Sequence, residues 1–168
     1  MSEETLLRAA GRGDAEALGE LIRGLAPDVY AYLAGMLADE AEAEDALQET
    51  FVRLARSLGR WDPGTDAAAR VFGIARRVAA DVRPTPSAHP GPVPEAASDL
   101  NAWARRALRA LDAEHRELVV ARDILHWDDA TIAARTGLLP DDVPVRLRDA
   151  RERLLANARK PMGAEQPA

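Results

Sequence analysis

The chain has 168 residues, with 22 basic and 28 acidic side chains and a formal net charge of −6. It has no cysteine, which excludes a disulfide scaffold, a Cys-ligated zinc site and thiol catalysis. No apolar run reaches the roughly 20 residues of a membrane span, and the opening MSEETLLRAAGRGD has no secretory core, so a cytoplasmic location is expected.

Alanine occurs 35 times and arginine 21 times, a composition that favours helix over strand. Leu18, Leu21, Ile22, Leu25, Val29, Leu33, Met36 and Leu37 recur at three- and four-residue spacing, with Pro27 marking a kink or a helix start. Leu47, Phe51, Leu54 and Leu58 form a second apolar stripe, and Val71, Ile74, Ala75, Val78 and Val82 a third. The segment 84–97 then carries five of the eleven prolines and reads as an extended linker. Beyond it come a fourth stripe (Leu100, Trp103, Ala104, Ala107, Leu108 and Leu111) and a shorter helix over about 114–125. Last is a helix-turn-helix: Asp128–Thr136, a turn at Gly137, and Pro140–Ala158. The fold class is all-α, as two small helical domains, 1–83 and 98–160, joined by the Pro-rich linker and followed by a tail at 161–168.

In the last pair, Ile132 and Ala133 pack the first helix, and Gly137 supplies the permissive turn position. Val143, Leu147, Ala150 and Leu154 are the buried stripe of the second helix. An αα-hairpin without DNA function has the same pattern. Asp141 is a sound N-cap, and Pro144 is tolerated in the first turn.

Charge is unevenly spread. Residues 1–60 hold 6 basic and 12 acidic side chains, while 100–168 hold 12 and 11. The acidic first third suits a basic protein partner and repels phosphate. His89, His115 and His126 lack metal-ligand spacing, and in His126-Trp127-Asp128-Asp129 the aspartate reads as an N-cap and the tryptophan as a core closure. There is no phosphate-binding Gly-Lys-Ser/Thr loop, dinucleotide glycine pattern or nucleophile elbow. No enzyme activity, cofactor or metal is expected.

Three stretches in order resemble the extracytoplasmic-function (ECF) sigma factors of bacterial RNA polymerase. Glu42-Ala-Glu-Asp-Ala-Leu-Gln-Glu-Thr-Phe-Val-Arg-Leu-Ala-Arg56 is similar to the family's polymerase-binding helix. Val71-Phe-Gly-Ile-Ala-Arg-Arg-Val-Ala-Ala-Asp81 is similar to its −10 helix. The segment from Leu111 to Leu154 is similar to its −35-reading helix-turn-helix, and the resemblance spans about residues 4–158. It implies a σ2-like domain, a linker and a σ4-like domain that together bind core polymerase and promoter DNA, and an anti-sigma partner that holds the chain inactive. It places Asp45, Gln48, Glu49 and Arg53 on the polymerase. Arg70, Arg76 and Arg77 fall to the −10 element, with Trp61 either an aromatic wall for a flipped base or a core closure.

Arg146, Arg148, Arg151 and Arg153 fall to the −35 element. Here the sequence departs from the family, because Asp141-Asp-Val-Pro-Val-Arg146 stands where small, hydroxyl and basic residues are usual. Asp142/Arg146 and Asp149/Arg153 have the spacing of acid-first i,i+4 ion pairs, which leaves Arg148 and Arg151 the less encumbered cations. A helix able to lean on phosphate with degenerate base readout is expected. The rival reading is a sigma-like protein that binds polymerase or a partner without reading promoters itself.

Overall fold

The computed structural model describes residues 2–37, 39–60, 64, 66–82 and 104–159. They fall into two compact units that divide at Ser87/Ala88, and every regular element described is helical. The linker expected at 84–97 and the tail expected at 161–168 lie outside the described residues.

The first unit contains α1 (Glu3–Gly11), α2 (Ala15–Met36), α3 (Glu40–Ser57), a 3₁₀ turn (Leu58–Arg60) and α4 (Ala67–Asp81). Sequence periodicity indicates three helices here; α1 is additional. Its N-cap is Ser2, whose hydroxyl accepts from the Thr5 amide at 3.3 Å, and it buries Leu6, Leu7 and Ala10. Pro27 neither starts nor ends α2 but lies inside it. Proline at this position removes the hydrogen bond to the carbonyl four residues back, that of Arg23. Both residues are exposed, so water can satisfy that carbonyl.

The core is built on α2, α3 and α4. Leu21, Val29, Tyr32 and Leu33 of α2 are buried, as are Val71, Phe72 and Ala75 of α4, which packs against α2, and the Tyr32 and Phe72 rings pack edge to face at 5.6 Å. On α3 the fully buried line is Ala43, Ala46, Thr50 and Leu54. The expected stripe is therefore rotated: Leu54 and Leu58 are buried, while Leu47 and Phe51 are half-buried at the flank. Small side chains at 43, 46 and 50 let α3 approach its neighbours closely. The Thr50 hydroxyl is satisfied by donating to the Ala46 carbonyl at 2.7 Å.

The second unit contains α5 (104–109), α6 (Ala113–Val119) widening into a π-helical turn (Val120–Ile124), and α7 (Asp129–Thr136). A 3₁₀ turn (Pro140–Asp142) leads into α8 (Val143–Ala158). Trp127 is buried, Ile132 and Ala133 face the core, and Gly137 ends α7 at φ 80°, a left-handed conformation that favours glycine. Val143, Leu147 and Ala150 are the buried line of α8, with Leu154 packed against the cluster of Leu111, Val119 and Ala150.

Five aspartates cap helices: Asp14, Asp39, Asp66, Asp112 and Asp128 each accept an amide hydrogen in the first turn of α2, α3, α4, α6 and α7. Part of the acidic excess therefore serves the backbone and the helix dipoles. Asp112 shows the consequence for pH. Its bond from the His115 amide, 3.0 Å long, holds its pKa below the ordinary carboxylate value. A carboxyl depressed in the fold stabilises it above the unfolded pKa, and this contribution is lost as pH falls through the folded pKa. Asp112→Ala should cost about 1 kcal/mol at neutral pH. In denaturation curves the gap from wild type should close in strong acid.

Candidate polymerase and nucleic-acid surfaces

The outward side of α3 follows from its buried line. Asp45 and Gln48 are exposed, Glu49 is half-buried, and Val52 is 40% exposed among them. Arg53 is turned toward the flank. Its guanidinium donates to Glu49 at 2.7 Å and to Asp81, at the end of α4, at 2.9 Å. These two carboxylates raise its pKa, Glu49 first. Arg53 thus clamps α3 to α4 and orients Glu49, leaving Asp45, Gln48 and Glu49 as an acceptor-rich face. Sequence spacing gave no reason to include Val52.

On α4 the predicted arginines divide. Arg70 and Arg77 are seven residues apart, about 20° from alignment on one side of the helix, and both are exposed. Arg76 is half-buried on another side. Arg77 has no hydrogen bond or ion pair among the described residues. Trp61 lies outside the described residues.

The third surface is α8, where the ion pairing differs from the expectation. Asp149 and Arg153 do pair, at 3.1 Å. Asp142 and Arg146 do not. Asp142 belongs to the 3₁₀ turn, and Arg146 pairs with Glu114 of α6. Nor is Asp141 a cap: it too lies in the 3₁₀ turn that Pro140 starts, and α8 begins at Val143 with no side-chain cap. Arg151, expected to be less encumbered, pairs with Asp123 of the π turn, which raises its pKa. Arg148 alone of the four predicted arginines has no ion pair among the described residues.

His115 fastens the same flank. Its Nδ1 lies 2.6 Å from Asp112 and its Nε2 3.0 Å from Asp149. Asp149, bonded by both Arg153 and His115, has a lowered pKa. On the other flank Arg122 pairs with Asp129, and a groove of about 360 Å³ runs past them between Arg148, Arg151, Leu147 and Leu155. The unit therefore supplies carboxylates to three of the four arginines that the sequence predicts for the −35 element.

Residues 21–83 match the family Sigma-70 region 2. Over 155 residues the chain is 33% identical to the RNA polymerase sigma factor CarQ of Myxococcus xanthus, covering 84% of this chain and 89% of CarQ. It is 30% identical over 166 residues to the ECF RNA polymerase sigma factor SigC of Mycobacterium tuberculosis, covering 91% of this chain and 89% of SigC. The chain belongs to the ECF sigma factors.

This sigma factor also resembles a solved structure, that of CnrH in complex with the cytosolic domain of CnrY. The match has a TM-score of 0.76 and 25% identity, covering 92% of this chain and 95% of the other. A sigma factor makes and breaks no bonds. It binds core polymerase and promoter DNA and directs transcription initiation. No described helix is long and apolar enough to cross a membrane.

Proposed function

We propose a division of this sigma factor's work among three surfaces. The α3 face, Asp45, Gln48 and Glu49 with Arg53 bracing it, docks on core polymerase by charge-assisted hydrogen bonds to a basic surface. The segment with Trp61, Arg70, Arg76 and Arg77 engages the −10 element, stacking a base and gripping phosphates. In the σ4-like domain, 98–160, α8 meets the −35 element with Arg146, Arg148, Arg151 and Arg153. The domain 1–83 and the linker 84–97 complete the arrangement in a cytoplasmic protein. A protein that binds this chain as the cytosolic domain of CnrY binds CnrH is a fitting partner, and an anti-sigma protein is the one we propose.

The −35 contact is degenerate in this reading. The observation that carries it is the pairing of Arg146, Arg151 and Arg153 with Glu114, Asp123 and Asp149. Each such arginine must exchange a carboxylate for a phosphate, so part of the gain of contact is cancelled. Exposed pairs of this kind are screened by solvent and weakly held, so the exchange is feasible and its net return small.

The test is run-off transcription and footprinting with reconstituted holoenzyme. Scrambling the −10 element should abolish transcripts, while scrambling −35 should lower them only about tenfold, the share left to a few contacts. Arg148→Ala/Arg151→Ala should remove the −35 footprint and reduce the log–log salt slope of binding by about 1–2. Full −35 protection by that variant would overturn the assignment to α8.

A further inference from the structure

The way α8 is held determines which of its side chains can reach a base. One side is buried through Val143, Leu147 and Ala150. One flank is fastened where Glu114 holds Arg146 and His115 holds Asp149, and the other where Asp123 holds Arg151. The ridge opposite the buried line is Val145, Arg148 and Glu152, spaced three and four residues apart, and all three are exposed. Val145 stands out because it is 63% exposed in the first turn. A β-branched residue there loses rotamer freedom and gains no packing, so folding does not account for it.

The second helix of a helix-turn-helix presents its N-terminal residues to base edges in the major groove. In this chain that stretch is Asp141, Asp142, Pro144 and Val145, none of whose side chains donates a hydrogen bond when the aspartates are ionised. It therefore cannot address the two acceptors of guanine. The feature of the groove that suits an exposed valine is the C5 methyl of thymine. We propose that Val145 is a specificity-determining residue of this sigma factor, reading a thymine of the −35 element through its methyl group. Arg148, one turn along the same ridge, is the cation beside it. This rests on the reading that α8 enters the groove at −35.

The experiment begins with a promoter selected by run-off transcription from a library randomised at −35 with −10 fixed. Each selected thymine is then replaced by deoxyuridine, which removes only the methyl. With wild-type holoenzyme, one position should lose about fourfold in binding, the transfer free energy of one buried methyl. Val145→Ser should abolish the difference between thymine and uracil, and Val145→Ile should keep it. Val145, the one protein site changed, is solvent-facing, and matching melting curves of the variants confirm the fold. A uracil penalty equal in wild type and Val145→Ser overturns the role of Val145. So does selection without thymine, or −35 dependence with no uracil penalty anywhere, and these results leave the α8 reading standing. Complete indifference to the −35 sequence overturns both together.

Discussion

Reversing two charges on α3, Asp45→Arg/Glu49→Arg, should reduce capture of core RNA polymerase at least about a hundredfold. Like charges brought together across an interface cost several kcal/mol, and each 1.4 kcal/mol is a factor of ten. The substitutions spare the buried line of α3, which is Ala43, Ala46, Thr50 and Leu54. Arg53 loses Glu49 but keeps Asp81 on α4, so the clamp between the two helices survives in part.

Placement must be separated from net charge, because the double reversal raises the formal charge of −6 by four. Glu3→Arg/Glu4→Arg on α1 makes the same change in net charge and should leave capture within about threefold, a rim-charge effect on association. A pull-down or titration with purified core enzyme compares the two. Capture undiminished by the α3 reversal would remove Asp45 and Glu49 from the interface. Equal losses from both variants would reduce the effect to net charge.

The features legible in the sequence are the local ones. Asp128 as a cap, Trp127 as a core closure, Gly137 at a left-handed turn and the buried line of α8 each follow from a residue type and a short spacing. The Asp149/Arg153 pair is likewise visible, being one turn apart. The partners of Arg146 and Arg151 are not, since Glu114 and Asp123 stand 32 and 28 residues away in sequence. Helix periodicity cannot announce a contact made by the packing of α6 across α8. Asp142/Arg146 fails for a related reason: Pro140 starts a tighter turn, so Asp142 precedes α8. The helix α1 left a readable sign, Ser2 before Glu3 and Glu4 and then Leu6, Leu7 and Ala10, but it is short and has little periodicity to sum. The candidate surfaces came from family resemblance and outward facing. The division of arginines into paired and unpaired ones comes from the fold.

That division has its sharpest case in Arg116. Its Nε donates to the Leu108 carbonyl at 3.0 Å, and its Nη2 to the carbonyls of Arg109 and Leu111, each at 2.8 Å. Those oxygens belong to the end of α5 and the turn that follows, where the Leu108 carbonyl also accepts from the Leu111 amide at 3.1 Å. Burial, and then the nearby Arg109, lower the pKa of this guanidinium. Arg116→Ala removes these charge-assisted bonds and leaves the part-buried Leu111 carbonyl without its donor, and should destabilise the second unit by about 2–4 kcal/mol. Arg116→Lys should recover less than half of this, because one ammonium cannot serve three carbonyls arranged for a planar fork. Denaturant unfolding of the full chain, followed by hydrogen exchange at the amides of the second unit, reads both values. A change below about 0.5 kcal/mol, the range of an ordinary surface substitution, would exclude the capping role. Where Arg116→Ala is still folded, its −35 footprint should persist, whereas Arg148→Ala/Arg151→Ala should lose the footprint and keep the fold. Opposite outcomes in the two assays separate an arginine that holds the helices from those that meet DNA.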